Sequence, residues 1–261
     1  MARPSMRSPR TTALACAAVT LCAVLASCGD DEPGPASGPA SPTGTASPTG
    51  GPGGEKLVLR WRKTGGIAGV GGPGSVPDFS VYSTGRVIVA SGPRQDKLTE
   101  YRLTPAALRR LLDGARAAGL DRSHKVEAGQ ISDAFITVVT MGDATTRVVQ
   151  ADSQTGPEGA FLKKLVPDGW PSSDQAAEPK PFQPVKTAVL ATPRPTGSTA
   201  VPWPLAPLGK GERTNGGICA IAPSEKVPAS HPTVTWSSAG EKYMVRLRPL
   251  LPAESTCRDI A

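Results

Sequence analysis

Residues Gly29 to Glu55 read GDDEPGPASGPASPTGTASPTGGPGGE, with no aromatic residue and no Val, Ile, Leu or Met. A stretch of this composition cannot bury enough apolar surface to offset the entropy of ordering, so it is expected to be disordered. Its Pro, Gly, Ser and Thr content makes it a tether, which as a coil spans about 26–31 Å. Folding is thereby confined to the roughly 206 residues that follow, enough for one domain or one domain with a smaller partner.

The residues before the tether set an expectation for the compartment. Arg3, Arg7 and Arg10 form a positive start without acidic residues. An apolar run from Ala13 to Leu25 follows, about 13 residues against the roughly 20 a membrane-spanning helix needs. This is the pattern of a secretory signal peptide. Leu25-Ala26-Ser27-Cys28 resembles the lipobox of bacterial lipoproteins. The resemblance implies cleavage before Cys28 and attachment of a diacylglycerol to its thiol. The expected organisation is a signal peptide at 1–27 and a lipidated tether at 28–55. The expected location is the extracytoplasmic face of the membrane.

Cysteine usage agrees with export. Cys16 and Cys22 fall in the signal peptide and Cys28 carries the lipid, which leaves Cys219 and Cys257. An even pair in an exported chain is expected to form a disulfide. The formal net charge of +7 falls to +4 once the three signal arginines are removed. That mild excess suits an anionic lipid or wall polymer. It lacks the Lys/Arg clustering of a nucleic-acid surface, so no nucleic-acid partner is expected.

Aromatics make up only 4% of the chain, so the core must be built from Val, Ile, Leu and Ala. Lys56–Arg62 alternates as a strand, and Phe79–Tyr82 and Arg86–Val89 flank Ser83-Thr84-Gly85 as a hairpin. Leu98–Leu103 adds a short strand. Thr104-Pro105 opens a helix, with Leu108, Leu111, Leu112 and Ala115 on one face and Gly119 at its end. Asp133–Met141 and Ala144–Ala151 read as strands around Gly142-Asp143, and Pro157–Val166 as a second helix. Val185–Leu190 reads as a further strand within a proline-rich stretch. Beyond it, Gly217–Ile221, Thr233–Ser237 and Tyr243–Leu247 are strand-like. The expected fold is α+β: an antiparallel sheet with two helices at 56–192, then a small, mostly β lobe at 193–261 pinned by Cys219–Cys257. Whether the two parts share one sheet is open at this level.

Gly69, Gly71 and Gly74 fit G-x-G-x-x-G, but a strand rather than a helix follows, and Pro73 removes a phosphate-binding N–H. The pattern reads as a wide glycine connection between antiparallel strands, so no nucleotide and no other cofactor is expected. Lys63-Thr64-Gly65 matches one box of penicillin-binding enzymes, but no S-x-x-K accompanies it. His124 and His231 are the two histidines, both read in polar loops, with no G-x-S-x-G and no zinc-ligand spacing. Asp133, Asp143, Asp152 and Glu158 are candidate carboxylates near element ends, with no pair singled out. Of Trp61, Trp170, Trp203 and Trp236, Trp203 between two prolines is the candidate for partial exposure and ligand contact.

Taken whole, the chain resembles the secreted lipoproteins of high-GC Gram-positive bacteria of streptomycete type. The lipobox, the tether, Lys63–Ile67, Val81–Val87, Leu103–Leu108 and Arg248–Pro252 carry that resemblance. It implies no catalytic residues. The resulting expectation is a non-catalytic binding or accessory module of the envelope, with an envelope protein or wall polymer as partner. The alternatives are an envelope hydrolase acting through carboxylates and a small-ligand carrier.

Overall fold

In the computed structural model, residues 54–260 are described apart from 67–69, 73, 93–94, 130, 195–198 and 232. The expected signal peptide, Cys28 and all but the last two tether residues lie outside them. The chain is α+β, with two helices, fourteen strands in two sheets and one disulfide.

The first sheet has the order β5-β7-β6-β1-β2-β3-β4-β8. Its strands are β1 (Leu57–Gly65), β2 (Phe79–Tyr82), β3 (Arg86–Ser91), β4 (Lys97–Leu103), β5 (His124–Val126), β6 (Phe135–Met141), β7 (Ala144–Val149) and β8 (Gln175–Pro181). All pairs are antiparallel except β5 with β7. The β2–β3 turn needs its glycine: Gly85 has φ +81°, and a Cβ there would lie 2.7 Å from the Leu103 carbonyl oxygen.

Alternation along these strands sends Leu59, Phe79, Val81, Val87, Val139 and Val148 to one face. Helices α1 (Pro105–Ala117) and α2 (Pro157–Lys163) cover that face with Ala107, Ala115, Phe161 and Leu162. Thr104 caps α1 by accepting the Ala107 N–H at 3.2 Å, and Pro105 occupies its first turn. The second helix is shorter than expected, ending at Lys163 rather than Val166, although Leu165 beyond it is still buried. Trp170 closes this core edge-on against Phe79 and Tyr101.

The second sheet has the order β10-β13-β14-β9-β12-β11. It comprises β9 (Lys186–Pro193), β10 (Ala200–Pro202), β11 (Glu212–Thr214), β12 (Gly217–Pro223), β13 (Thr235–Ser238) and β14 (Glu241–Pro249). The two parts therefore do not share a sheet. Strand β9, read above with the first part, sits inside the second sheet between β14 and β12. One face of this sheet buries Val189, Ala191, Tyr243 and Val245 against Trp203, Leu208 and Trp236. The other face presents Ala188, Leu190 and Cys219 to Leu250, Cys257 and Ile260 of the C-terminal segment. The same segment reaches the far face of the first sheet, where Leu251 packs with Val76, Tyr82 and Ile88. The C-terminal residues are thus the layer between the sheets.

That layer is fixed by charge as well as by apolar packing. Glu254, 3% exposed, takes both Nη atoms of Arg248, whose side chain is 1% exposed. Glu254 also accepts Arg60 Nη2 at 2.9 Å and the Leu251 N–H at 2.8 Å. Arg60 belongs to β1 and Arg248 to β14, so one carboxylate joins both sheets. Cys219 and Cys257 are bonded, with their Cα atoms 6.0 Å apart, which ties the same segment to β12.

Removing Glu254 leaves two guanidinium groups buried without their counter-charge. Glu254→Ala is expected to lower the unfolding free energy by about 3–5 kcal/mol in urea titrations; a loss below about 1 kcal/mol would contradict this role. Cys219→Ser removes a cross-link of sequence separation 38 and should cost about 3–4 kcal/mol under oxidising conditions. An unchanged melting temperature would count against it.

Candidate functional site

The glycine-rich connection between β1 and β2 occupies residues 66–78, and its described part leans on the second sheet. Gly74 has φ +69° and donates its N–H to the Ile260 carbonyl at 2.9 Å. A Cβ on Gly74 would lie 2.5 Å from Leu190 Cδ1 and 3.0 Å from Arg246 Nη2. Glycine is therefore what lets the loop close onto β9 and β14. Between this loop, β14 and the loop before β13 opens a cleft of about 710 Å³. Gly74, Ser75, Gln95, His231, Arg246 and Arg248 are among its lining residues.

Behind the cleft lies a concentration of guanidinium groups. Arg60 and Arg62 alternate on β1, and Arg246 and Arg248 on β14. Burial, with Arg60 and Arg248 as neighbours, pulls Arg62 below the usual arginine range, while Glu254 and Asp78 oppose that shift. Asp78 accepts the Lys63 N–H at 2.7 Å and Gln95 Nε2 at 2.6 Å. Burial pushes the Asp78 carboxyl up from its ordinary value, and those two hydrogen bonds offset part of the rise.

A second concavity, about 560 Å³, runs between α1 and α2. Ala107, Leu111, Gly114, Phe161 and Trp170 make it mostly apolar, with Arg110, Lys164 and Asp174 also lining it. Arg110 is paired with Asp174. Next to this groove a smaller hollow shares Ala117, Ala118 and Pro157 with it and is lined by His124 and Glu158.

His124 is in edge strand β5 and half-buried, which corrects its reading as a solvated loop residue. Its Nδ1 lies 2.9 Å from the Arg122 carbonyl oxygen and its Nε2 lies 3.0 Å from Glu158 Oε1. Two acceptors, one at each ring nitrogen, favour the doubly protonated imidazolium. The backbone hydrogen bond to Arg122 and the Glu158 carboxylate raise its pKa. His231 is exposed at the rim of the larger cleft.

Asp143 does not share a site with Asp133 and Asp152. Asp143 sits at the tip of the β6–β7 hairpin, while Asp133 and Asp152 flank its other end. The seven residues of β6 separate the two ends by roughly 20 Å, beyond the roughly 5–10 Å of a glycosidase pair. Asp152 is held by Lys63 Nζ at 3.0 Å and Glu158 by His124.

Trp203, the candidate for partial exposure, is buried. It is 9% exposed and meets Trp236 edge-on, with ring centroids 5.1 Å apart. Its backbone N–H donates to the Ser237 carbonyl at 2.8 Å, just after the parallel β10–β13 pairing. That pairing carries the indole inward, into the core of the second sheet. Trp61 and Trp170 also pack on the core of the first sheet.

No protein-family model matches the chain, and no curated protein and no solved structure proved similar to it. The functional reading therefore rests on the chain's own residues.

Because the folded-state pKa of His124 is raised, its link to Glu158 contributes stability in full below the unfolded value near 6.5. That contribution is lost as pH rises through the folded value. Unfolding free energies of the wild type and His124→Asn should differ most below about pH 6 and converge in alkaline solution. A difference independent of pH would contradict the imidazolium assignment.

Proposed function

We propose that the chain is an extracytoplasmic lipoprotein, anchored by a diacylglyceryl group on Cys28, whose folded body is a non-catalytic binding or accessory module. The observation that carries this reading is Leu25-Ala26-Ser27-Cys28 at the end of a short apolar run, followed directly by the Pro/Gly/Ser/Thr stretch to Glu55. The bonded pair Cys219–Cys257 supports it, since disulfides persist outside the reducing cytosol. Two acyl chains suffice for stable anchoring where one would be marginal.

Within the folded body the polar groups best placed for chemistry serve binding or architecture. The glycine pattern between β1 and β2 joins antiparallel strands, Glu158 pairs with His124, and the exposed Asp152 meets Lys63. The junction cleft and the inter-helix groove are open to solution, and both are within the size range of ligand sites. An envelope protein or a wall polymer at the end of a tether is the partner this reading implies.

Fractionation of cells expressing the full chain tests the anchor. The wild type is expected in the membrane fraction and Cys28→Ser in the medium or soluble fraction; retention of the variant on membranes would overturn the reading. Cross-linking in living cells, with Cys28→Ser as control, should recover a partner that the variant loses.

A further inference from the structure

On the face of the first sheet that the helices cover lies a small hollow of about 200 Å³. Its floor comes from two strands. Trp61 and Lys63 alternate on β1, and Thr137 of β6 is in register with Lys63, so all three side chains share the face on which Leu59 and Val139 are buried. Leu162 of α2 and Val166 beyond it add apolar surface, and Val166 is 56% exposed. Phe135, also exposed, borders the hollow through Lys63, whose Nζ lies 5.6 Å from the ring centroid.

The polar groups here divide into two kinds. The Trp61 indole N–H is closed off from water and has no acceptor among the described residues. An indole N–H can only donate, so leaving it unpaired carries a cost that an acceptor oxygen would remove. The charged groups are instead answered: Lys63 Nζ meets Asp152 Oδ2 at 3.0 Å, and Lys163 Nζ donates to the Gln154 carbonyl at 2.9 Å. The hollow therefore sets donors, an acceptor and hydrocarbon side by side, rather than offering one unanswered charge to an ion. That mixture suits a neutral ligand carrying all three. The volume is below the roughly 300–1,000 Å³ of sites that enclose a whole small molecule, so the hollow takes one unit of a longer ligand. An acetamido sugar has the required parts. Its amide carbonyl accepts the Trp61 N–H, its methyl meets Leu162 and Val166, and its ring hydroxyls reach Thr137, Asp152 and Lys63.

We propose that this hollow binds one N-acetylated amino-sugar unit of a glycan. The proposal deepens the binding-module reading, by naming the chemistry of the wall polymer, and rests on it for its biological setting. It does not depend on the anchor.

The test is a titration of the full chain in zwitterionic detergent micelles, followed through the Trp61 Nε1–Hε1 resonance. The N-acetylglucosamine trimer, cellotriose and N-acetyl-trialanine are added separately. Cellotriose keeps the sugar rings and replaces each acetamido group by a hydroxyl. A saturable Trp61 shift is expected with the acetylated trimer, and binding of cellotriose should be weaker by about tenfold. Trp61→Phe, which keeps a ring and removes the N–H, should weaken the trimer by about tenfold, read at the Val166 amide. Asp152→Ala, at an exposed position, should weaken it by at least about threefold, read at Trp61. No saturation with the acetylated trimer, equal binding of cellotriose, or folded variants that bind like the wild type would each overturn the proposal. Saturation with N-acetyl-trialanine in place of the trimer would overturn the glycan assignment in favour of a peptide. Such a failure, with Cys28-dependent cross-linking intact, would leave the anchored-module reading standing and remove only the sugar site.

Discussion

Glu254 is the residue on which the two sheets depend. Its carboxylate receives Arg248 from β14, Arg60 from β1 and the Leu251 N–H from its own segment. A buried ion pair is weak evidence for stability in general, because desolvation offsets most of the attraction. Its value here is positional. The apolar contacts of Leu250, Leu251 and Ile260 are non-directional and would tolerate sliding between two sheet faces. The bidentate Arg248 pairing tolerates far less, and Cys257 fixes the segment to β12 beyond it. Orientation of the two sheets, and with it the shape of the cleft between the glycine loop and β14, follows from that one carboxylate.

Local signals were readable where a few neighbouring residues determine the structure. Thr104-Pro105 and the leucine spacing after it define α1, and Ser83-Thr84-Gly85 defines the β2–β3 turn, because capping and turn geometry are set within four residues. The Cys219–Cys257 pair followed from the cysteine count, once Cys16, Cys22 and Cys28 are set aside with the expected leader and lipobox. Strands β5, β8, β10 and β11 were not readable. They lie at or next to sheet edges and carry little apolar alternation. In β8, Pro179 and Pro181 argue against a strand, yet an edge position tolerates the missing donors.

The site was less accessible still. Arg60 and Glu254 are 194 residues apart, and nothing in their local patterns marks either as buried. His124 and Glu158 meet only because β5 joins β7 in parallel beside the start of α2. Trp203 misled because flanking prolines suggest a solvated loop, whereas β10 pairs with β13 and carries the ring inward. The glycine pattern marks a connection between strands, but its docking on Leu190 and Arg246 is a tertiary fact. These are long-range pairings, which periodicity and spacing do not encode.

The central claim is that the C-terminal segment, keyed by Glu254, makes the two sheets open as one unit. Native-state hydrogen exchange across a urea series measures this directly. The account predicts that amides of β1–β3 and of β9, β12 and β14 merge onto a single opening free energy equal to global unfolding. Exchange of the second-sheet strands at a distinctly lower free energy, with β1–β3 still protected, would contradict it.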